Sequence, residues 1–278
     1  MREVSIRVAA GAVEEVLDRL LPIAPDGVRE RDDGEVVTLI LRGPRVPATA
    51  VLKRAAGTAL LALSEGVASD DWRERRRADL RPVRIAGGLT LLPGWAAESA
   101  AAADTGLTIV LADESAFGTG THPTTAACLE LLLELDIRGS FADLGCGTGV
   151  LAILAATLGF EPVLAVDRQP SSVDAARSNA RRNGVAIAVR QGEIDVGPER
   201  SCDVIAANVP PAVHRALVAG LAAPAQPDGA GNPRAAIVSG FGPVDADELL
   251  GSYRAAGLER ATVIERRGWV AALLIPGR

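Results

Sequence analysis

The chain of 278 residues is 48% hydrophobic and 23% charged, which gives it the means to bury a large core and makes it too long for one small domain. Its net charge of −6 offers no basic field to nucleic-acid phosphate, and its three cysteines, Cys128, Cys146 and Cys202, stand without a CxxC or Cys/His pairing, which argues against a disulfide scaffold and a structural zinc site, so no metal is expected. No apolar run approaches the ~18 residues that cross a bilayer, and the opening MREVSIRV is charged where a signal peptide needs apolar residues, so a cytoplasmic protein with no membrane contact is expected.

Residues 4 to 66 read as short alternating elements. VSIRV is a strand, AVEEVLDRLL a helix, GVRERDDGEVVTLILRG two strands turning at Asp32, Asp33 and Gly34, ATAVLKRAAG a helix and TALLALS a strand. The order β-α-β-β-α-β predicts a small α+β ferredoxin-like domain over residues 1–66. Next, SDDWRERRRADL predicts a helix after an Asp cap, and RPVRIAGGLTLLPGW a hairpin bent at Gly87 and Gly88. The cluster Arg73, Arg75, Arg76 and Arg77 fits a solvated helix better than a phosphate site. Together with the Ala-rich AESAAAADTG, this stretch is read as a linker over 67–106.

Residues 107–278 have another rhythm. FADLG, VLAVD, IAVRQGE, CDVIAANV and AAIVSGF are short strands separated by helical segments, the pattern of a parallel sheet covered on both faces. The final ATVIERRGWVAALLIP predicts two antiparallel strands turning at Arg267 and Gly268.

The chemistry concentrates in DLGCGTG, Asp143 to Gly149, between a strand and a helix. Gly145, Gly147 and Gly149 permit a tight turn and close ligand approach, and the helix N-terminus behind them is expected to offer free N–H groups. Asp167 ends the next strand, 22 residues beyond Gly145, where a carboxylate can accept from both hydroxyls of a ribose or cap the following helix. A dinucleotide fingerprint reads GxGxxG, whereas this loop reads GxGxG. The shorter loop suits a ligand with no pyrophosphate to cradle, which favours S-adenosylmethionine over a nicotinamide dinucleotide.

FGTGTHPTT (117 to 125), DLGCGTGVLAI, AVD (165 to 167), ARSNARRNGV (176 to 185) and DVIAANV (203 to 209) together resemble the ribosomal protein L11 methyltransferase family. The likeness covers residues 70 to 275 by motif and the front domain by pattern only. It implies a Rossmann-like class I methyltransferase sheet with a terminal antiparallel hairpin, preceded by a substrate-recognition domain. It also implies S-adenosyl-L-methionine as cofactor, S-adenosyl-L-homocysteine as product, and methyl transfer to lysine or α-amino nitrogens of ribosomal protein L11, with no nucleic-acid specificity.

Carried over by motif, the resemblance assigns cofactor contacts to Thr125 and to Gly145 and Gly147 of the loop, ribose binding to Asp167, and the methyl-donor end to Asn208, with Asn208 and Thr125 the catalytic pair. Phe117 packs on the cofactor or belongs to the core, and Glu193 accepts from the adenine edge or faces solvent. His122 is a general base or fixes its loop, and His214 receives no role. The family continues its Asn motif with an apolar residue such as Ile or Leu, whereas this chain reads NVPP, with Pro210 and Pro211 stiffening the loop beside the acceptor. That departure, and Arg76 and Leu80 at linker positions where aromatics are expected, keep open a second acceptor: another protein or a small molecule.

Overall fold

The computed structural model describes residues 2–20, 23–24, 28–32, 34–67, 82–96, 106–111, 117–194, 201–222 and 232–277. The Arg73 to Arg77 cluster with its predicted helix, the Ala-rich stretch up to residue 105, and Asp33 of the DDG turn lie outside these residues. The chain divides into two compact units, Met1–Leu80 and Arg81–Arg278.

In the first unit, β1 (Arg2–Ala9), α1 (Val13–Leu20), β2 (Arg29–Asp32), β3 (Val36–Arg42), α2 (Thr49–Ala56) and β4 (Leu60–Val67) follow in the expected order. The sheet runs β2-β3-β1-β4 with every neighbouring pair antiparallel. Alternate residues of β1, Val4, Ile6 and Val8, are fully buried with Leu39, Leu41, Val16, Leu20 and Leu52, so one face of the sheet packs on both helices. Arg2 fastens the strand start, donating to Val46 O, Pro47 O and the carboxylate of Glu65 at 2.7–2.8 Å.

The second unit opens with a three-stranded sheet whose strands fall within the expected linker and at the start of residues 107–278. β5 (Val83–Ile85) and β6 (Leu89–Pro93) form the expected hairpin, and β7 (Leu107–Leu111) adds parallel to β6. Ile85, Leu89, Leu91, Ile109 and Leu111 join the core of this unit, because their alternate positions are apolar and bury with Cys128, Leu132, Leu151 and Leu154. Residues 83–96 are therefore part of the second unit's fold.

The central sheet has the order β10-β9-β8-β11-β12-β14-β13. Its strands are β8 (Phe141–Leu144), β9 (Val163–Asp167), β10 (Ala188–Gln191), β11 (Val204–Asn208), β12 (Ala235–Phe241), β13 (Leu258–Arg266) and β14 (Trp269–Pro276). The first five positions are parallel, and β14 and β13 close the sheet antiparallel through a turn in which Arg267 has φ 51°. The result is a mixed α/β unit with a mostly parallel sheet. Both faces are covered: α3 (Pro123–Leu133), α4 (Val150–Thr157) and α5 (Pro170–Arg182) on one, α6 (Pro211–Ala222) and α7 (Pro243–Ala255) on the other. Along β11, Val204 and Ala206 point to the first core while Ile205 and Ala207 point to the second, the period of two that a doubly buried strand requires. Among the described residues no helix is long and apolar enough to cross a membrane.

From β8 the chain moves outward through β9 to β10 and then returns to β11 on the other side of β8. The topological switch point thus lies between β8 and β11, and ligands of such sheets settle beyond the carboxyl ends of the strands at that point.

Candidate functional site

Four residues singled out from sequence follow the carboxyl ends of adjacent parallel strands: Glu193 after β10, Asp167 at the end of β9, Gly145 after β8 and Asn208 at the end of β11. Gly145 and Asn208 flank the switch point. The fold therefore gathers these positions along one edge of the sheet.

The backbone N–H groups of the glycine loop are all engaged within the protein. Gly145 and Cys146 donate to Val166 O at 2.8 and 3.0 Å, Gly147 to Asp167 Oδ2 at 3.0 Å, Thr148 to Phe117 O at 2.8 Å, and Gly149 to Cys146 O at 2.7 Å. The loop donors ahead of the helix are taken up by internal bonds, because the end of β9 and the 117–118 segment both press acceptors onto the loop. Thr148 completes the join by donating its hydroxyl to Gly118 O at 2.7 Å. Gly147 has φ 52°, and a Cβ there would stand 2.3 Å from Phe117 O. The glycine is thus required by the protein's own backbone, before any ligand is considered.

Asp167 is nearly buried and divides its carboxylate between Gly147 N and Gln169 N, the latter at 2.8 Å to Oδ1. It caps the turn into α5 and braces the glycine loop at once, and each oxygen retains a second lone pair. Asp143 is a site residue that sequence reading left without a role. It is 1% exposed, and its carboxylate accepts from Ala152 N, at 3.1 Å to Oδ2. Burial, reinforced by the Asp167 charge, raises its carboxyl to about 7, against the opposing pull of the Ala152 N–H. The available signal was a charged residue inside the otherwise apolar strand FADL.

Thr125 lies in the first turn of α3, 1% exposed, and Asn208 Nδ2 donates to its Oγ1 at 3.4 Å. The two residues are 83 positions apart in sequence, and the fold brings them together at the switch point. His122 caps α3: its Nδ1 lies 2.7 Å from Thr124 Oγ1 and accepts from Thr124 N at 3.4 Å. Its ring sits 5.3 Å from the Phe117 ring and 4.8 Å from that of Trp269. This geometry supports the loop-fixing alternative for His122. Trp269, which sequence reading used only to mark a strand, is held near α3 by its hairpin, where Arg266 donates twice to the Glu130 carboxylate at 2.9 and 2.8 Å. Phe117, 49% exposed, and Glu193, also exposed, stand at the rim of the site.

The two buried thiols offer no nucleophile. Cys128 and Cys146 are buried, and desolvation raises both, Cys128 to about 12. His214 is fully buried, its Nδ1 2.8 Å from Tyr253 Oη and its Nε2 2.9 Å from Ser239 O, and burial lowers it to about 4. Among the described residues no group of three His, Cys, Asp or Glu side chains converges as a metal site would.

Residues 48–274 match the family model described as ribosomal protein L11 methyltransferase (PrmA). A ribosomal protein L11 methyltransferase of Symbiobacterium thermophilum is 37% identical over 208 residues, 74% of this chain and 66% of the relative. One from Pseudomonas aeruginosa strain LESB58 is 34% identical over 208 residues, 74% of this chain and 68% of that protein. The chain thus spans about two thirds of the length of these relatives. Among solved structures, a ribosomal protein L11 methylase from Lactobacillus delbrueckii subsp. bulgaricus superposes with a TM-score of 0.60 at 23% identity, covering 72% of this chain and 100% of that one, a likeness of fold.

Proposed function

The chain belongs to the ribosomal protein L11 methyltransferase family, and from that premise we propose that it transfers the methyl group of S-adenosylmethionine to lysine or α-amino nitrogens of ribosomal protein L11. The observation that carries the cofactor is the electrostatics of the glycine loop. A dinucleotide pyrophosphate needs free N–H donors at a helix N-terminus. Here the N–H groups from Gly145 to Gly149 already donate inside the protein, and the buried Asp143 carboxyl stands at the start of α4. That setting suits a ligand bearing a cationic amino group better than a phosphate. S-adenosylmethionine, when bound, supplies a methyl group on a sulfonium that is already a good leaving group.

The same reading assigns the holding residues. Asp143 faces the cofactor's ammonium, and the Gly145 and Gly147 loop holds its amino-acid part. The remaining lone pairs of Asp167 accept from the ribose hydroxyls, Glu193 accepts from the adenine edge, and Phe117 packs at the rim. Thr125 and Asn208 stand at the methyl-donor end. Because Asn208 Nδ2 is donated to Thr125, its amide oxygen is left to accept an N–H of the incoming amine and so to orient the nitrogen lone pair.

An amine with a pKa of ~10.4 must lose its proton before it attacks. His214 is buried and internally bonded, His122 caps a helix, and the two buried thiols stay protonated, so none of these groups is assigned the role of base. Desolvation of the amine beside a cationic centre lowers its pKa instead.

The first unit is assigned to substrate recognition. Its β-α-β-β-α-β order and β2-β3-β1-β4 sheet support a ferredoxin-like domain over 1–66, joined through the basic stretch after residue 67 to a class I methyltransferase domain whose core already includes Ile85. The loop Val209-Pro210-Pro211 favours the second reading, in which the acceptor is another protein or a small molecule.

Two measurements decide. Calorimetry is expected to give binding of S-adenosylhomocysteine and none of NADH; the reverse overturns the cofactor. Labelled S-adenosylmethionine with ribosomes from a strain lacking the enzyme is expected to label L11, and label on another component alone overturns the substrate.

A further inference from the structure

We infer that His214 is a positioning residue that sets the Asn208-Val209-Pro210 turn, and through it the Asn208 amide, for methyl transfer. This rests on the reading of Asn208 given above. Ser239 O accepts from two donors, Val209 N at 3.0 Å and His214 Nε2 at 2.9 Å. A carbonyl only accepts, so Nε2 carries the proton, and Nδ1 of the neutral ring accepts from the hydroxyl of Tyr253, the sole tyrosine, at 2.8 Å. Burial favours that neutral ring.

The backbone on either side leaves the turn no room to drift. Gly240 has φ 96°, and a Cβ there would lie 2.4 to 2.8 Å from Val209 O, N and C, so the turn rests directly on the end of β12. From the other side, Pro210 O accepts from Val213 N and His214 N at 3.0 and 3.3 Å, fixing the turn to the first coil of α6. His214 therefore grips the turn twice, by its main chain at Pro210 and by its ring at the carbonyl that also holds Val209. Its ring lies 5.1 Å from that of Phe241, in the core that also holds Leu217 and Leu249, where an apolar side chain of similar volume would serve packing alone. A polar chain of hydroxyl, imidazole and carbonyl in that setting fixes one arrangement, and it does so one residue beyond Asn208.

The test uses steady-state transfer to L11 with the full-length chain. His214→Leu is expected to lower kcat about tenfold or more, as small misplacements of a reacting group do, while the Kd for S-adenosylhomocysteine stays within about twofold. His214→Gln, whose amide can donate to Ser239 O and accept from Tyr253, is expected to recover most of kcat. Tyr253→Phe keeps the bond to Ser239 and is expected to lose only a few-fold. Leu249→Ala loosens the same core without touching the chain of bonds and is expected to retain kcat at temperatures where it is folded. If His214→Leu is folded with wild-type kcat, or if Leu249→Ala loses kcat equally, the inference is overturned. Should His214→Leu fail to fold, a wild-type kcat in Tyr253→Phe, or a loss in Leu249→Ala as large as that in Tyr253→Phe, overturns it. Asn208→Ala tests the underlying site separately: full activity there removes the site reading, whatever His214 does.

Discussion

Asp167 Oδ2 accepts the N–H of Gly147 at 3.0 Å, so the end of β9 and the glycine loop after β8 are fixed to each other by one carboxylate. The same group that is assigned to the ribose therefore also shapes the loop beside it, and its removal acts twice.

Asp167→Ala is expected to weaken S-adenosylhomocysteine binding by about tenfold or more, since hydrogen bonds to a charged group contribute ~1.5–3 kcal/mol. Asp167→Asn, which keeps an acceptor oxygen, is expected to fall between. Calorimetric affinity equal to the parent's in the alanine variant means that the ribose lies elsewhere.

Asp143 makes a prediction of opposite sign for stability and for binding. Its carboxyl is raised from 3.8 to about 7 in the fold, so the folded state binds more protons than the unfolded one between those values. Its contribution is fully present below pH ~4 and is lost as pH rises through about 7. Asp143→Asn is expected to melt higher than the parent at pH 8, with the gain shrinking toward pH 4, yet to bind the cofactor more weakly. Parallel melting curves at all pH values, or undiminished affinity, contradict it.

For His214 the direction reverses. Its ring is lowered from 6.5 to about 4, so its contribution is present above pH 6.5 and is lost as pH falls through 4. Denaturant titrations of the parent and of His214→Gln are expected to converge as pH drops from 7 to 4, by roughly 1.4 kcal/mol per unit at most. A constant difference across that range rules out a buried neutral imidazole.

Gly147→Ala places a methyl 2.3 Å from Phe117 O at a φ of 52°. The variant is expected to fold with the 117–118 segment displaced and cofactor affinity reduced about tenfold or more, as removal of a site's positioning contacts does. Backbone amide shifts at Phe117, Gly118 and Thr148 report the displacement directly; unchanged shifts with unchanged affinity count against the packed loop.

What the sequence made legible was local. The strands FADL, VLAVD and VIAAN announce themselves by continuous apolar residues, and the glycine spacing marks the loop after the first of them. Asn208 and Thr125 were reached through motif resemblance, and only the switch point explains why residues 83 apart meet. The remainder depended on partners distant in sequence. The use of Thr148 N by Phe117 O spans 31 residues, and His214 looked idle because Ser239 and Tyr253 lie 25 and 39 residues beyond it. The hairpin at Gly87 and Gly88 was visible, whereas its membership in the second unit required seeing Leu91 against β7.

The parallel pairing of β6 with β7, Leu89 opposite Leu107 through Pro93 opposite Leu111, governs how the second unit can be produced alone. A fragment cut at residue 107, where the methyltransferase pattern begins to the eye, would strip β7 of its neighbour and uncover Ile109 and Leu111 along an open strand edge, an invitation to aggregate. A fragment beginning near residue 82 keeps that edge paired, and is the shortest form of this half from which soluble protein is to be expected.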